Sequence, residues 1–271
     1  MERRQLGKTG LSVPAVGLGT WRGFHVKDDA GEARCEAVVD TAIDSGANFF
    51  ETSPMYGESE RVLARCIADR REEALVATKV WARTRAVGEE QIEGALDAFE
   101  RVDLYMVHNL LALRDHMPIL RQLVERKMID AVGGSHYLPS AYPDLIELIR
   151  ADEISAVEIP YHPLEREAEV ELLPAAKEHD VGVIVMRPFG SGALLENPPP
   201  AEELAPLEEF GIRTWPQAVL KWILSDPRVH TVIPGTSSAD HMRENAAAGE
   251  PPWLGEGERA LIRELAERAR R

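Results

Sequence analysis

Cysteine is rare in this chain of 271 residues, and long apolar segments are absent. The two cysteines, Cys35 and Cys66, lie in stretches with helical periodicity. Free thiols there usually behave as small buried side chains, so neither a disulfide framework nor a thiol catalyst is expected. No apolar run approaches the roughly 20 residues that cross a bilayer, and no signal-like apolar stretch follows residues 1–4. We therefore expect a cytoplasmic protein without a membrane partner.

Positive charge is also scarce. Lysine and arginine total 31 against 46 acidic residues, which gives a formal net charge of −15. This charge repels phosphate backbones and anionic lipids, so it argues against nucleic acid or a membrane surface as a partner. Hydrophobic residues at 44% and charged residues at 28% are ordinary for a globular protein and argue against disorder.

Short apolar runs alternate with longer stretches of helical periodicity along the whole chain. The predicted strands cover residues 15–18, 48–51, 75–80, 104–108, 131–134, 156–161, 182–186 and 231–233. The predicted helices cover residues 35–45, 60–68, 89–101, 117–127, 141–150, 170–180, 215–225 and 239–246. Because a helix follows each strand, we expect a parallel sheet covered on both faces. Eight such units predict an α/β fold, a single-domain (β/α)₈ TIM barrel over residues 1–271, with an open doubly wound sheet as the alternative.

Three further segments have their own patterns. Residues 4–13 contain Lys-Thr-Gly between two short extended pieces, which predicts an N-terminal β-hairpin able to plug the barrel floor. Residues 196–211 contain three consecutive prolines and acidic residues, so they predict an exposed loop rather than a continuous helix. Residues 256–271 are polar with helical periodicity and predict a helix packed outside the barrel.

Polar side chains stand where the predicted strands end, which is where barrels of this kind carry their functional groups. Glu51 closes the second strand, Lys79 lies at the end of the third, and His108 closes the fourth. A lysine or carboxylate near a barrel core is costly unless paired, so we expect Lys79 and Glu51 to face each other. Taken alone, such a pair also fits a purely structural ion pair.

Tyr56, just beyond the second strand, adds a phenol to this set. A phenol has a reference pKa of about 10, and a neighbouring ammonium such as Lys79 makes it a better proton donor by stabilising the phenolate. His108 alone would usually be a core histidine, but beside the phenol it can orient a substrate carbonyl. An acidic residue, Tyr, Lys and His together predict a carbonyl reductase with a small-molecule carbonyl substrate.

With these residues the chain resembles the aldo-keto reductase family, as a bacterial member with short loops. The matching motifs, which agree in order and spacing, are residues 4–10, Gly17-Leu18-Gly19-Thr20-Trp21, Phe49-Phe50-Glu51-Thr52-Ser53-Pro54-Met55-Tyr56-Gly57, Ala77-Thr78-Lys79, Val107-His108-Asn109, Arg187-Pro188-Phe189-Gly190, and Ile233-Pro234-Gly235-Thr236 with Glu244-Asn245. The resemblance implies a barrel that binds NADPH without a Rossmann domain, and the chain has no strand-linked Gly-x-Gly-x-x-Gly. It further implies an NAD(P)H-dependent reductase of aldehydes and ketones, as a monomer or weak homo-oligomer.

By this resemblance Tyr56 is the general acid, Lys79 lowers its pKa and His108 positions the carbonyl. Glu51 stands where the family has Asp and is one methylene longer. Trp21 and Trp81 are predicted to wall the substrate pocket, with simple packing as the alternative.

The resemblance also implies a set of cofactor contacts. Ser135, His136 and Glu158 stand where the family holds the nicotinamide carboxamide with Ser, Asn and Gln, and Met186 replaces an aromatic residue that stacks on the ring. The remaining predicted cofactor contacts are Gly19, Thr20, Trp21, Arg187, Pro188, Phe189, Gly190, Ser191, Gly192, Gly235, Thr236, Ser237, His241, Glu244 and Asn245. Gly235 and His241 stand where the family uses Lys and Arg on the 2′-phosphate, so NADP is favoured only modestly over NAD.

Two alternatives remain open at this point. Glu51, His108, His136 and Glu158 lie at strand ends and are possible ligands of a divalent metal, as in metal-dependent sugar isomerases that share this barrel. Against a metal site, Lys79 would place a positive charge among the ligands, and we predict no bound metal. The other alternative is a nicotinamide-binding protein whose catalysis is impaired by its substitutions.

Overall fold

A short hairpin precedes a parallel sheet in the computed structural model, which describes residues 1–270. The hairpin strands β1 and β2 are Arg3–Gln5 and Ser12–Pro14. The parallel strands β3 to β10 are Leu18–Gly19, Phe49–Glu51, Leu75–Val80, Val102–His108, Ile129–Ser135, Ala156–Pro160, Gly182–Met186 and Thr231–Val232. Neighbours pair in chain order from β3 to β10, and bridges from Val16 to Val232 and from Gly19 to Gly235 bring the last strand back to the first. The predicted (β/α)₈ barrel with an N-terminal hairpin is confirmed.

Helices follow the barrel strands and surround the sheet. Helices α1 to α9 are Asp29–Asp44, Ser59–Ile67, Arg85–Phe99, Leu113–Glu125, Tyr142–Arg150, Leu172–Glu178, Trp215–Leu224, Ala239–Ala247 and Glu256–Ala269. Helix α1 begins six residues before its predicted start because Asp28 caps it, accepting the N–H of Gly31 at 2.8 Å. Across residues 1–270, the helices are all too short or too polar to span a bilayer.

The barrel interior follows the period-two alternation of the strands. Its buried apolar side chains are Phe49, Ala77, Leu104, Met106, Ala131, Ala156, Ile184 and Ile233. Leu6, Leu11 and Val13 of the hairpin belong to the same cluster, and Gly7 bridges Val181 just before β9. The hairpin therefore closes the floor of the barrel, at the end where the parallel strands begin. The polar side chains lie at the opposite end, where the parallel strands finish.

The prediction of an exposed loop at residues 196–211 was partly wrong. Ala201–Phe210 forms a 3₁₀ helix that contains Pro206, and Leu204 and Leu207 are buried. A 3₁₀ helix has three residues per turn, so side chains three apart lie on one side and can pack together against the barrel. The C-terminal helix α9 is confirmed, and its own side chains Ile262, Leu265 and Ala266 are buried. Residue 271 of that predicted tail lies outside the described residues.

Candidate active site

A cavity of about 740 Å³ opens at the carboxyl ends of the barrel strands. The predicted site residues that line it are Gly19, Trp21, Glu51, Tyr56, Trp81, His108, Met186, Arg187, Pro188, Phe189, Ser191, Gly192, Gly235, Thr236 and Ser237. They come from strands and loops spread over most of the chain. The cavity therefore brings together residues that the sequence places more than 200 positions apart.

Tyr56, Lys79 and Glu51 meet at this end of the barrel. Lys79 Nζ lies 3.3 Å from the Tyr56 hydroxyl, which donates a hydrogen bond to Glu51 Oε1 at 3.0 Å. Lys79 also donates to that same Glu51 oxygen. The local sequence explains the position of Tyr56, because Ser53 caps a one-turn 3₁₀ helix, Pro54–Tyr56, that directs the phenol back over the barrel.

A second carboxylate approaches Lys79 from a different part of the barrel. Glu158 Oε2 on β8 lies 3.2 Å from Lys79 Nζ, and both side chains are fully buried. Burial alone would lower the pKa of Lys79, but the charges of Glu158 and Glu51 outweigh it and raise the pKa overall. Burial also raises the pKa of Glu158, an effect that the lysine opposes. Lys79 is thus an ammonium held between two acidic groups.

The Tyr56 phenol remains protonated at neutral pH. Burial and the Glu51 carboxylate raise its pKa well above the usual value, and Lys79 acts in the opposite direction without reversing the rise. The expected lowering by Lys79 is therefore present as an opposing effect, while the net direction is upward. A phenol in this state is a proton donor and becomes a phenolate only as it gives up its proton.

His108 is held as a neutral imidazole. Its Nδ1 lies 2.8 Å from Ser53 Oγ, and its ring meets the Tyr56 ring edge-on at a centroid distance of 5.8 Å. Burial, followed by the charges of Lys79 and His136, lowers the pKa of His108 to about 3. Ser53 Oγ accepts the N–H of Met55 at 3.3 Å, so its own proton is free to point at Nδ1. When the hydroxyl donates to Nδ1, the neutral imidazole carries its proton on Nε2.

Ser135 and Glu158 form a polar pair on neighbouring strands. They are register partners of β7 and β8, and both are almost completely buried. Within residues 1–270, Ser135 Oγ and both carboxylate oxygens of Glu158 make no well-aligned hydrogen bond, although Lys79 and Ser135 are close enough to lower the pKa of Glu158. Buried polar atoms without well-aligned hydrogen bonds are costly, so this pair is adapted to a polar group that the chain itself does not provide.

Several predicted cofactor residues lie away from the cavity lining. They are Thr20, Ser135, His136, Glu158, Gly190, His241, Glu244 and Asn245. The hydroxyl of Thr20 is buried and donates to Thr52 Oγ1 at 2.9 Å, while the ring of His136 stacks on Tyr137. His241 is exposed on α8, and Asn245 is buried on the same helix.

The cavity also contains residues that were not predicted. They are Arg22, Gly23, Met55, Asn109, Tyr137, Leu195 and Ile233. Met55, Asn109 and Ile233 already lie inside the matching motifs, and Arg22 and Tyr137 directly follow the predicted residues Trp21 and His136, so these five were within reach of the sequence. Tyr137 supports the loop after β9, since the Arg187 guanidinium stacks 4.6 Å from its ring centroid.

Trp21 and Trp81 both line the cavity. The Trp81 ring is 43% exposed, so it is not a core side chain. Its backbone is held from behind by Gln91 of α3, whose side chain accepts the N–H of Trp81 at 2.8 Å and donates to its carbonyl at 3.0 Å. The wall formed by Trp81 is therefore fixed in position.

The geometry does not support a metal-dependent isomerase. Within residues 1–270, the His, Cys, Asp and Glu side chains form no group of three or more that could hold a metal ion. Lys79 lies between Glu51 and Glu158, where an ion shared by these carboxylates would have to be. Its positive charge would repel such an ion.

Comparison with known proteins agrees with this architecture. The sequence model described as "Aldo/keto reductase family" matches residues 15–267. Methylglyoxal reductase YeaE of Escherichia coli (strain K12) is 25% identical, with 92% of this chain and 90% of the relative covered. Aldo-keto reductase AKR11C1 from Bacillus halodurans, in its holo form, is 26% identical with a TM-score of 0.80 and full coverage of both chains. An aldo-keto reductase from Klebsiella pneumoniae in complex with NADPH is 24% identical with a TM-score of 0.82, covering 98% of this chain and 96% of that one. The chain therefore belongs to the aldo/keto reductase family of oxidoreductases.

Proposed function

We propose that this protein reduces aldehydes or ketones to alcohols with NADPH, using Tyr56 as the proton donor. The observation that carries the proposal is the Tyr56 hydroxyl at the cavity, 3.3 Å from the Lys79 ammonium. Similarity to a methylglyoxal reductase and to a structure containing NADPH supports the reaction class and the cofactor.

The residues present fit a nicotinamide. Ser135 and Glu158 lie directly behind the cavity lining, because Ser135 is the register partner of the lining residue His108 and Glu158 is the register partner of Ser135. Their hydroxyl and carboxyl groups match the donor and acceptor of a primary amide. Met186 lines the cavity, where its thioether can cover one face of a ring. Arg187 and Ser191, in the loop after β9, offer a cation and a hydroxyl to a pyrophosphate. The bound dihydronicotinamide supplies the hydride.

The chain itself supplies the proton and the orientation of the carbonyl. The Tyr56 hydroxyl gives its proton to the carbonyl oxygen as that oxygen gains negative charge. The Lys79 ammonium then stabilises the phenolate that remains. His108, neutral throughout the physiological range, donates from Nε2 to the same oxygen and fixes its direction. Glu51 holds the resting hydroxyl and must release this hydrogen bond before the proton is transferred.

The proposal is tested by measuring NADPH oxidation with methylglyoxal and a nitrobenzaldehyde. Tyr56→Phe should lower the rate by about 10²–10⁴-fold, the usual contribution of a general acid. Tyr137→Phe is the matched control, because this residue also lines the cavity but its hydroxyl has no role in the reaction. Both variants should bind NADPH, as measured by fluorescence.

A different result would favour the binding-protein alternative. If the unmodified protein binds NADPH but oxidises none of it with a broad panel of aldehydes and ketones, reduction is not its activity. If Tyr56→Phe and Tyr137→Phe lose activity equally, Tyr56 is not the acid.

A further inference from the structure

Lys79 faces more negative charge than it can neutralise. With Glu51 and Glu158 both ionised, the three side chains would carry one uncompensated negative charge. Lys79 and Glu158 are fully buried, and Glu51 is 3% exposed. An unpaired charge is expensive in such a place, and the usual escape is to bind a proton.

We propose that Glu158 carries this extra proton, and that the neutral carboxyl group replaces a glutamine in binding the nicotinamide carboxamide, so that dinucleotide binding is coupled to protonation of Glu158. The inference rests on the proposed function for its ligand. It goes beyond that function by giving this chain a proton-linked cofactor site.

The hydrogen bonds decide which of the two carboxyl groups is neutral. Glu51 Oε1 accepts from both the Tyr56 hydroxyl and Lys79, and hydrogen bonds to the charged form stabilise it. Glu158 has weaker contacts: Lys79 is 3.2 Å from its Oε2 without the alignment of a hydrogen bond, and Lys79 and Ser135 lower the pKa of Glu158 by less than burial raises it. The proton therefore belongs on Glu158. The upward shift in the pKa of Glu158, caused chiefly by burial, has the same direction.

The other groups around Glu158 do not remove the need for a proton. Lys79 on β5 favours the ionised form, whereas Glu51 on β4 disfavours it. Tyr56 is protonated, and His108 on β6 is neutral above its lowered pKa. Of the register partners of Glu158, Ser135 on β7 has no charge and Ile184 on β9 is apolar.

A neutral carboxyl group has the hydrogen-bonding capacity that an amide ligand requires. It offers one donor and one acceptor, as a glutamine side chain does, whereas an ionised carboxylate only accepts. Ser135 Oγ, beside it and also without a well-aligned hydrogen bond, adds a second donor or acceptor. Losing the proton removes the donor and strengthens the attraction of Glu158 to Lys79. Dinucleotide affinity should therefore fall as pH rises through the pKa of Glu158.

The test is the dissociation constant of NADPH for the full chain between about pH 6 and about pH 9, measured by fluorescence. If one proton is required, the constant should rise by up to about tenfold per pH unit at the alkaline end. Glu158→Gln should bind with a nearly flat profile, because its amide needs no proton. Any titration of NADPH itself is common to both proteins and cancels in the comparison.

Glu60→Gln is the matched control. Glu60 is a half-buried carboxyl group whose pKa burial raises to about 7. It accepts a hydrogen bond from the Thr78 hydroxyl and does not line the cavity. This variant should keep the pH dependence of the unmodified protein. A flat profile in the unmodified protein, or the same slope in Glu158→Gln, would overturn the inference.

Two measurements do not require the variant to bind NADPH. Calorimetry of NADPH binding in buffers of different ionisation enthalpy should show proton uptake by the unmodified protein at alkaline pH, and no uptake overturns the inference. Infrared spectroscopy of the ligand-free protein should show a protonated carboxyl band at neutral pH that Glu158→Gln lacks. If NADPH and NADH both fail to bind, the proposed function is wrong, while the infrared band still decides where the proton lies.

Discussion

Replacing Lys79 by methionine should destabilise the barrel by an amount that depends strongly on pH. The variant keeps a similar side-chain volume but leaves Glu51 and Glu158 buried without their cation. Removing one partner of a buried ion pair costs about 3–5 kcal/mol in the free energy of unfolding. At roughly 2–4 °C per kcal/mol for a chain near this size, the melting temperature should fall by on the order of 10 °C.

The pH dependence follows from the two carboxyl groups left behind. Without the ammonium, burial favours their protonated forms more in the folded than in the unfolded protein. Below the unfolded pKa of about 4.3, such a carboxyl group is protonated in both the folded and the unfolded protein and does not lower the free energy of unfolding. As pH rises from there through the folded pKa, its burial lowers the free energy of unfolding more and more. The difference in melting temperature between Lys79→Met and the unmodified protein should therefore be small near about pH 5 and large near about pH 8.

The assay is thermal or urea unfolding over this pH range, with Lys221→Met as the control. Lys221 is also buried, but it donates to the carbonyl of Phe210, and no carboxylate in residues 1–270 forms an ion pair with it. Burial lowers the pKa of Lys221. Because Lys221→Met leaves no carboxylate without its cation, the loss of stability in this variant should stay nearly constant across the same range. A constant loss in Lys79→Met, or an equal slope in both variants, would refute the reasoning.

Two further predictions concern helix α3. Gly88→Ala should lower the free energy of unfolding by about 1–3 kcal/mol, because its Cβ would overlap the His116 imidazole. Gly94→Ala on the same helix meets nothing within 4 Å, so it should raise the free energy of unfolding by about 0.5–1 kcal/mol. Urea unfolding measures both changes. Gln91→Leu should raise the KM for aromatic aldehydes several-fold more than that for methylglyoxal, since it removes both hydrogen bonds that hold the Trp81 backbone. Equal changes in the two KM values would show that Trp81 is not held in place by Gln91.

The alternation of residue types along each segment was enough to predict the barrel and much of its interior. Strand residues of period two place Glu51, Lys79 and Glu158 on the same side of the sheet as the apolar interior. Parallel neighbouring strands also made the contact between Glu51 and Lys79 predictable. These are local consequences of the backbone, and they need no knowledge of how the sheet closes.

Contacts between distant strands could not be predicted in this way. Lys79 on β5 meets Glu158 on β8 because the sheet curves into a barrel, and the chain order of the strands does not state how close their inward side chains come. Likewise, the rotation of α8 about its axis leaves His241 exposed and Asn245 buried, both outside the cavity lining. The residue types and their spacing thus determined the barrel and its polar rim. Closure of the sheet decided that Lys79 contacts two carboxyl groups, because side-chain distances across a barrel depend on its curvature.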